Sequence, residues 1–419
     1  MMTFRTIPPS YTTDFRITLE PLEHFSDRIS VLRSDTVEVF RLELIFPFGL
    51  LHAPDIQTGH FLPRLIAMGT ADRTAYQVAE AFERLGGFLD ISMGLRRTTV
   101  TLHGLSRYFK AYLPLLADVI FQPEFPEVEI EIQRAQASQT YLVESRKPAF
   151  RANASFKEVI YGPGSLAGQT QDPAAMAELN RHSLKKFHAA TFGVSSFDIY
   201  LCGHITDSDL SSLKNFSESV SPGATEAALP EAHFPEKQPS QHIRVEMENA
   251  VQSSLIIGKR LFNRAHPDFF RFLVTNTTFG GYFGSRLMKN IREEKGLTYG
   301  ISSSLVANGP DGVFSIRAEL NKEKLEEALA AIESEKETLR TTPVAESELA
   351  TVKNYIRGNI LSGTNTLFDI MDKHKAIHYE ALPPDFYESM GAHIDAVTPE
   401  DVMHMTGTWL NEFSTVIAG

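Results

Sequence analysis

The chain ends each of its halves in the same way. Leu184, Phe187 and Thr191 fall on one face of a helix, and the apolar run Phe197-Asp198-Ile199-Tyr200-Leu201-Cys202-Gly203 follows. Val402, Met405 and Trp409 repeat that spacing before Phe413-Ser414-Thr415-Val416-Ile417-Ala418-Gly419. A helix leading into an apolar strand that stops at Gly, once per half, predicts two similar lobes. At 419 residues the chain is also too long for a single core. Between the halves, Ser221-Pro222-Gly223-Ala224 through Pro239-Ser240 is rich in Pro, Ala and Glu and has no apolar period. That composition reads as a linker. The expected lobes are residues 1–220 and 243–419, joined by 221–242.

Each lobe reads as α+β. In the first, Phe40, Leu42, Leu44, Phe46 and Phe48 alternate as in a half-buried strand, and Thr98 to Leu105 forms another. Thr74-Ala75-Tyr76-Gln77 has the form of a capping box before Val78, Phe82 and Leu85 at helical spacing. Glu127 to Glu144 is a long helix. In the second, Ile243, Val245 and Met247 alternate, as do Phe314, Ile316, Ala318 and Leu320. Helices are expected at Lys322–Leu339 and Ala345–Leu361, and a last one is capped by Thr398 with Pro399 at its first position. Strands separated by helical pairs, occurring twice, suit two sheets each covered by helices.

Charge and cysteine usage exclude several classes. The formal charge is -12, whereas phosphate neutralisation needs clustered Lys and Arg, so nucleic acid is not an expected partner. The single cysteine, Cys202, sits in an apolar run and reads as a buried inert thiol. The N-terminal residues have no apolar stretch of signal-peptide length, and no run elsewhere suits a bilayer span. A cytoplasmic location is the expectation.

The segment Gly280-Gly281-Tyr282-Phe283-Gly284-Ser285-Arg286-Leu287, continued by Arg292-Glu293-Glu294-Lys295-Gly296-Leu297-Thr298-Tyr299, carries the chemistry. It resembles the second half of the insulinase/pitrilysin-type zinc peptidases, the family that includes mitochondrial processing peptidase. Leu85-Gly86-Gly87-Phe88-Leu89-Asp90, Pro123-Glu124-Phe125-Pro126-Glu127, Phe156-Lys157-Glu158 and Val352-Lys353-Asn354-Tyr355 extend the similarity over nearly the whole chain. The resemblance implies the processing-peptidase fold, two lobes with mostly antiparallel sheets. It also implies that two chains pair as a clamshell around a chamber.

Members of that family carry His-x-x-Glu-His on a first-lobe helix. Two His one turn apart bind zinc, and the Glu activates the metal-bound water. The matching stretch here is Gly59-His60-Phe61-Leu62-Pro63-Arg64-Leu65. Pro63 stands in place of the base and Arg64 in place of the second His. The position of the distal carboxylate falls on Thr140, with Glu144 one turn beyond. Proline accepts no proton and removes a helix donor, and arginine sets a permanent cation where a dication would sit. No metal is therefore expected in this chain, and His60 reads as a partly buried helix residue. His374 and His378 have ligand-like spacing but no evident third ligand, and read as a solvated helix face.

The second lobe keeps its half of the site. Ser285 to Lys295 reads as a helix capped by Gly296, with Leu297, Tyr299 and Ile301 sharing one face of the next strand. By the resemblance, Arg292 and Tyr299 grip the substrate opposite the zinc. A guanidinium and a phenol both donate hydrogen bonds, as suits a carbonyl oxygen gaining charge. Read alone, Arg292 would neutralise a helix C-terminus and Tyr299 would be a strand aromatic. Gly280, Gly281 and Gly284 permit positive φ and close approach, as a peptide-binding loop or an ordinary helix-entry turn. The first-lobe stretch Asp90-Ile91-Ser92-Met93 departs from the family's substrate-binding strand edge.

Two functional expectations follow. In the first, this is a non-catalytic subunit, inactive alone, whose homologous partner carries the zinc and which offers Arg292 and Tyr299 to an extended peptide. In the second, it is a catalytically dead structural or peptide-binding homologue acting as a homodimer.

Overall fold

The computed structural model describes residues 17–220, 229, 232, 234–248 and 250–419. The first half builds strands β1 (Glu23–Ser26), β2 (Ile29–Arg33), β3 (Val39–Phe46), β4 (Phe88–Met93), β5 (Thr98–Leu105) and β6 (Asp198–Gly203). The second builds β7 (His242–Val245), β8 (Gln252–Leu261), β9 (Thr298–Asn308), β10 (Asp311–Asn321) and β11 (Ser414–Ala418). The six-stranded sheet has the order β1-β2-β6-β3-β5-β4 and the five-stranded sheet the order β7-β11-β8-β10-β9. Apart from β1, the two orders are the same order shifted by one lobe. Each sheet contains one parallel pair, β2 with β6 and β7 with β11, and is otherwise antiparallel. The closing helix-and-strand repeat is thus the visible trace of a duplicated topology, in which each lobe's last strand inserts beside its first long one.

Alternation explains the cores. Phe40, Leu42, Leu44 and Phe46 share one face of β3 and are fully buried, under Phe61, Leu62 and Leu65 of helix Ile56–Leu65 and Leu116 of helix Phe109–Phe121. Phe314, Ile316, Ala318 and Leu320 do the same on β10, under Ala328, Ile332, Leu349 and Val352. The capping box at Thr74 forms as expected, and Thr398 caps the last helix as expected, in a box completed by Asp401.

The lobes exchange one helix each. Helix Pro148–Tyr161, from the first half, lays Ala152, Phe156 and Ile160 against Ile256, Val416 and Ala418 of the second sheet. Helix Leu367–Tyr379, from the second half, sets Met371 against Leu32, Ile45, Tyr200 and Cys202 of the first. This corrects two sequence expectations. Strand β3 is buried on both faces, with Arg41 8% and Glu43 5% exposed, because the exchanged helix covers its polar side. The helix bearing His374 and His378 is not simply a solvated face, since the His374 ring lies 2.7 Å from the Glu20 carbonyl. Cys202 is buried, and burial pushes its thiol up to about 12.

Of the expected linker, residues 221–228, 230, 231 and 233 lie outside the described residues. Its end is docked rather than free. The Phe234 ring meets the Tyr161 ring edge-on and lies under the Arg260 guanidinium, which donates to the Pro235 carbonyl.

Candidate functional site

Helix Ile56–Leu65 opens with Asp55, whose carboxylate accepts from the Thr58 N–H at 2.7 Å. Residues four apart share a helix face, so His60 and Arg64 point the same way. Helix Glu127–Glu144 brings Gln133, Gln136, Thr140 and Glu144 opposite them at the same spacing, and Phe150 and Lys157 come from the exchanged helix. Together with the segment Gln169 to Gln171 these side chains line a cavity of about 360 Å³. His60, Arg64 and Thr140, aligned by counting along the sequence, therefore meet in space.

The chemistry of that cavity does not suit zinc. The Thr140 hydroxyl donates to the carbonyl of Gln136 at 2.9 Å, and the Glu144 carboxylate is held by Lys147 at 2.6 Å. Burial, with the charges of Lys157 and Arg64 beside it, pushes His60 down to about 4. One neutral imidazole remains next to two cations that would repel a dication. Among the described residues no group of three or more His, Cys, Asp and Glu is placed to hold a metal.

On the second lobe, helix Phe269–Asn276 runs without interruption into a widened, π-helical turn, Thr277–Gly281. A second π-helical stretch, Met288–Glu294, follows the loop. The helix expected over Ser285 to Lys295 therefore exists in altered form. Its end is closed by Leu297 N–H bonding the Ile291 carbonyl at 2.9 Å, with Gly296 left-handed at φ 61. Such turns are frequent at functional sites because the extra residue shifts the side chains that follow. Arg286 anchors the segment, donating through Nε and Nη2 to the Glu348 carboxylate, both at 2.9 Å.

The glycines act differently from expectation. Gly280, Gly281 and Gly284 are absent from the positive-φ positions. Their need for Gly comes from packing inside the protein. A Cβ on Gly280 would lie 2.5 Å from Ser303 Oγ, and one on Gly284 would lie 2.7 Å from the Tyr282 ring. The loop they frame exposes Phe283, which is 66% accessible, and the Arg292 guanidinium sits 4.9 Å from the centre of that ring.

Tyr299 does not share a face with Leu297 and Ile301. Thr298 pairs with Leu320 and Ile301 with Ala318, so Tyr299 and Gly300 together oppose Glu319. This β-bulge resets the alternation. Leu297, Thr298 and Ile301 are buried, while Tyr299 turns outward at 88% exposure. The Thr298 hydroxyl pins the bulge, donating to the Glu319 carbonyl at 2.6 Å and accepting from the Gly300 N–H at 3.1 Å.

Sequence reasoning passed over Lys157 and Phe283 as site residues. Both stood in quoted motifs. An aromatic ring inside a Gly-rich loop was a usable signal for Phe283. Nothing local in the sequence ties Lys157 to His60.

Comparison with known proteins bears on the family and the fold. Residues 30–162 match the family model "Insulinase (Peptidase family M16)" and residues 178–356 the model "Peptidase M16 inactive domain". The Bacillus subtilis protein named "Uncharacterized zinc protease YmxG" is 23% identical over 84% of this chain and 88% of its own length. The beta subunit of mitochondrial-processing peptidase from Mus musculus is 23% identical over 86% of this chain and 75% of its own. The crystal structure of a peptidase M16 inactive domain from Pseudomonas fluorescens superposes with a TM-score of 0.83 at 23% identity, covering 93% of this chain and 95% of that one.

Proposed function

Because this chain belongs to the insulinase family of peptidases, peptidase family M16, we propose that it is the non-catalytic subunit of a two-chain zinc metallopeptidase. The partner supplies the metal and the general base. This chain completes the chamber and presents Arg292 and Tyr299 to an extended peptide. One observation carries the reading: in a chain whose zinc positions are His60, Pro63, Arg64 and Thr140, Tyr299 is turned outward by a bulge on β9, the strand packed against the π-helical stretch from which Arg292 reaches the exposed Phe283 ring. A strand aromatic with only a packing role would lie inward with Leu297 and Ile301.

The two donors suit one task. Arg292 and the Tyr299 hydroxyl stabilise negative charge on a peptide carbonyl oxygen as it is attacked, and neither needs to change protonation state to do so. The test is reconstitution with a homologous chain bearing intact His-x-x-Glu-His. Arg292→Ala and Tyr299→Phe are each expected to lower kcat/KM of the pair by about a hundredfold or more, the loss typical of one such donor. Full cleavage by the pair with either variant would sink the assignment and leave a purely structural homologue.

A further inference from the structure

The cavity beside His60 is lined by two cations, Arg64 and Lys157, against one carboxylate. Arg64 has five N–H donors and Lys157 three. Among the described residues neither forms an ion pair with a carboxylate, and the nearest aromatic contact of Arg64 is the Phe61 ring at 5.8 Å. Glu144, the one carboxylate lining the cavity, is held by Lys147. The Thr140 hydroxyl donates to the Gln136 carbonyl of its own helix. The wall beyond holds a further donor without a partner. Gln171 Nε2 donates to Gln57 Oε1 at 3.0 Å, and that leaves Gln57 Nε2, on a side chain only 4% exposed, buried without an acceptor. Gln57 lines a larger cleft of about 1050 Å³ that shares Gln169 and Thr170 with the smaller cavity.

Two neighbouring cations without counter-charge repel each other. An anion with two acceptor oxygens relieves that repulsion. We propose that the degenerate zinc pocket has become a carboxylate receptor, in which Arg64 and Lys157 bind the C-terminal carboxylate or an acidic side chain of a peptide lying in the adjoining cleft. The volume of about 360 Å³ is within the range of small-ligand sites and admits one side chain or chain end. The guanidinium of Arg64 is suited to hold both oxygens at once. This inference rests on the peptide-binding reading above and adds the chemical class of the group recognised. It assigns no bond-making step to this pocket.

The experiment is fluorescence anisotropy with the full chain and three labelled alanine-glycine octapeptides: one with a free C-terminus, one amidated, and one amidated with an internal Glu. The free-acid peptide is expected to bind at least tenfold more tightly than the neutral amide, with affinity falling as salt rises. Tighter binding of the Glu-containing amide instead assigns the pocket to acidic side chains. Arg64→Gln and Lys157→Gln should each weaken binding of the favoured peptide about tenfold, and Arg64→Lys should restore it only in part, since an ammonium keeps the charge but not the two-pronged grip. Both residues lie at the surface, so the folded chain should survive their replacement. Equal binding of all three peptides, or an unchanged affinity in the Arg64→Gln/Lys157→Gln double variant, overturns the receptor. So does stoichiometric binding of zinc(II) alone that is lost in His60→Gln. If the double variant leaves peptide binding intact while Arg292→Ala still abolishes cleavage by the reconstituted pair, the receptor falls and the subunit reading stands.

Discussion

Lys375 Nζ lies 2.6 and 2.7 Å from the two carboxylate oxygens of Glu43, across 332 positions of sequence. Glu43 in turn faces Arg41, whose Nε is 3.1 Å from Glu43 Oε2 at an angle outside hydrogen-bond geometry. Arg41 uses its Nη atoms on the Asp372 carboxylate and the Phe368 carbonyl. Arg41, Glu43 and Lys375 are thus enclosed between the first sheet and a helix of the second half, with the half-exposed Asp372 closing the group at its rim. Once closed, the lattice leaves no charge unpaired, which is what allows a polar strand face to be buried.

Breaking that lattice should be expensive. Glu43→Gln leaves Arg41 and Lys375 sharing Asp372, and removal of one member of a buried pair typically destabilises by about 3–5 kcal/mol. Urea unfolding should show the loss. Native-state hydrogen exchange should show helix Leu367–Tyr379 opening first, since it is held to the sheet by these contacts.

Thr298→Val tests the bulge without touching a substrate. It removes the hydroxyl that joins the Glu319 carbonyl and the Gly300 N–H. A loss of about 1–3 kcal/mol in stability is expected from the groups left unpaired. The Gly300 amide should exchange faster, and cleavage by the reconstituted pair should fall because Tyr299 is no longer held outward.

The glycines separate by mechanism. Gly280→Ala drives a methyl group toward Ser303 Oγ and Leu287 Cδ1, the latter at 2.8 Å, and overpacking of this kind destabilises by about 1–3 kcal/mol. Gly296→Ala meets nothing within 4 Å, so its penalty is only that of φ 61 for a residue with a Cβ, about 1–2 kcal/mol. Leu287→Ala empties a fully buried site and lowers stability by itself, yet it should cost less in the Gly280→Ala background than in the wild type, and should add simply to Gly296→Ala in thermal melts.

His60 should titrate near 4 by NMR, against 6.5 for an ordinary imidazole. The folded value lies below the unfolded one, so folding excludes a proton. The stability contributed by the neutral ring is complete above 6.5 and is lost as pH falls from 6.5 toward 4. His60→Gln should flatten that portion of the stability profile. Removing Lys157 or Arg64 should raise the midpoint.

Much of this protein was readable from local pattern. Period-two alternation set Phe40 to Phe46 and Phe314 to Leu320 inward, because a strand offers only two faces. The closing repeat anticipated a shared strand order. The chemistry open to Pro63 and Arg64 was legible because it depends on residue type: proline and arginine cannot do the work of glutamate and histidine wherever they sit.

What remained hidden depends on contacts between distant segments. Arg41 and Glu43 lie on the second face of a strand that reads as half-buried, and a helix more than three hundred positions away covers that face. Lys157 reaches His60 only because helix Pro148–Tyr161 crosses to the second sheet and passes the cavity on its way. Tyr299 turns outward because β9 carries one residue more than β10 at that point, a mismatch set by pairing between strands. The order of residues alone determined the duplicated α+β plan and the residue types at positions 60, 63, 64 and 140, since both follow from side-chain identity and spacing along a few turns. Tertiary structure decided which charges are buried, which donors are left unsatisfied and which way the second-lobe tyrosine faces, since these depend on partners that the chain brings together only when it folds.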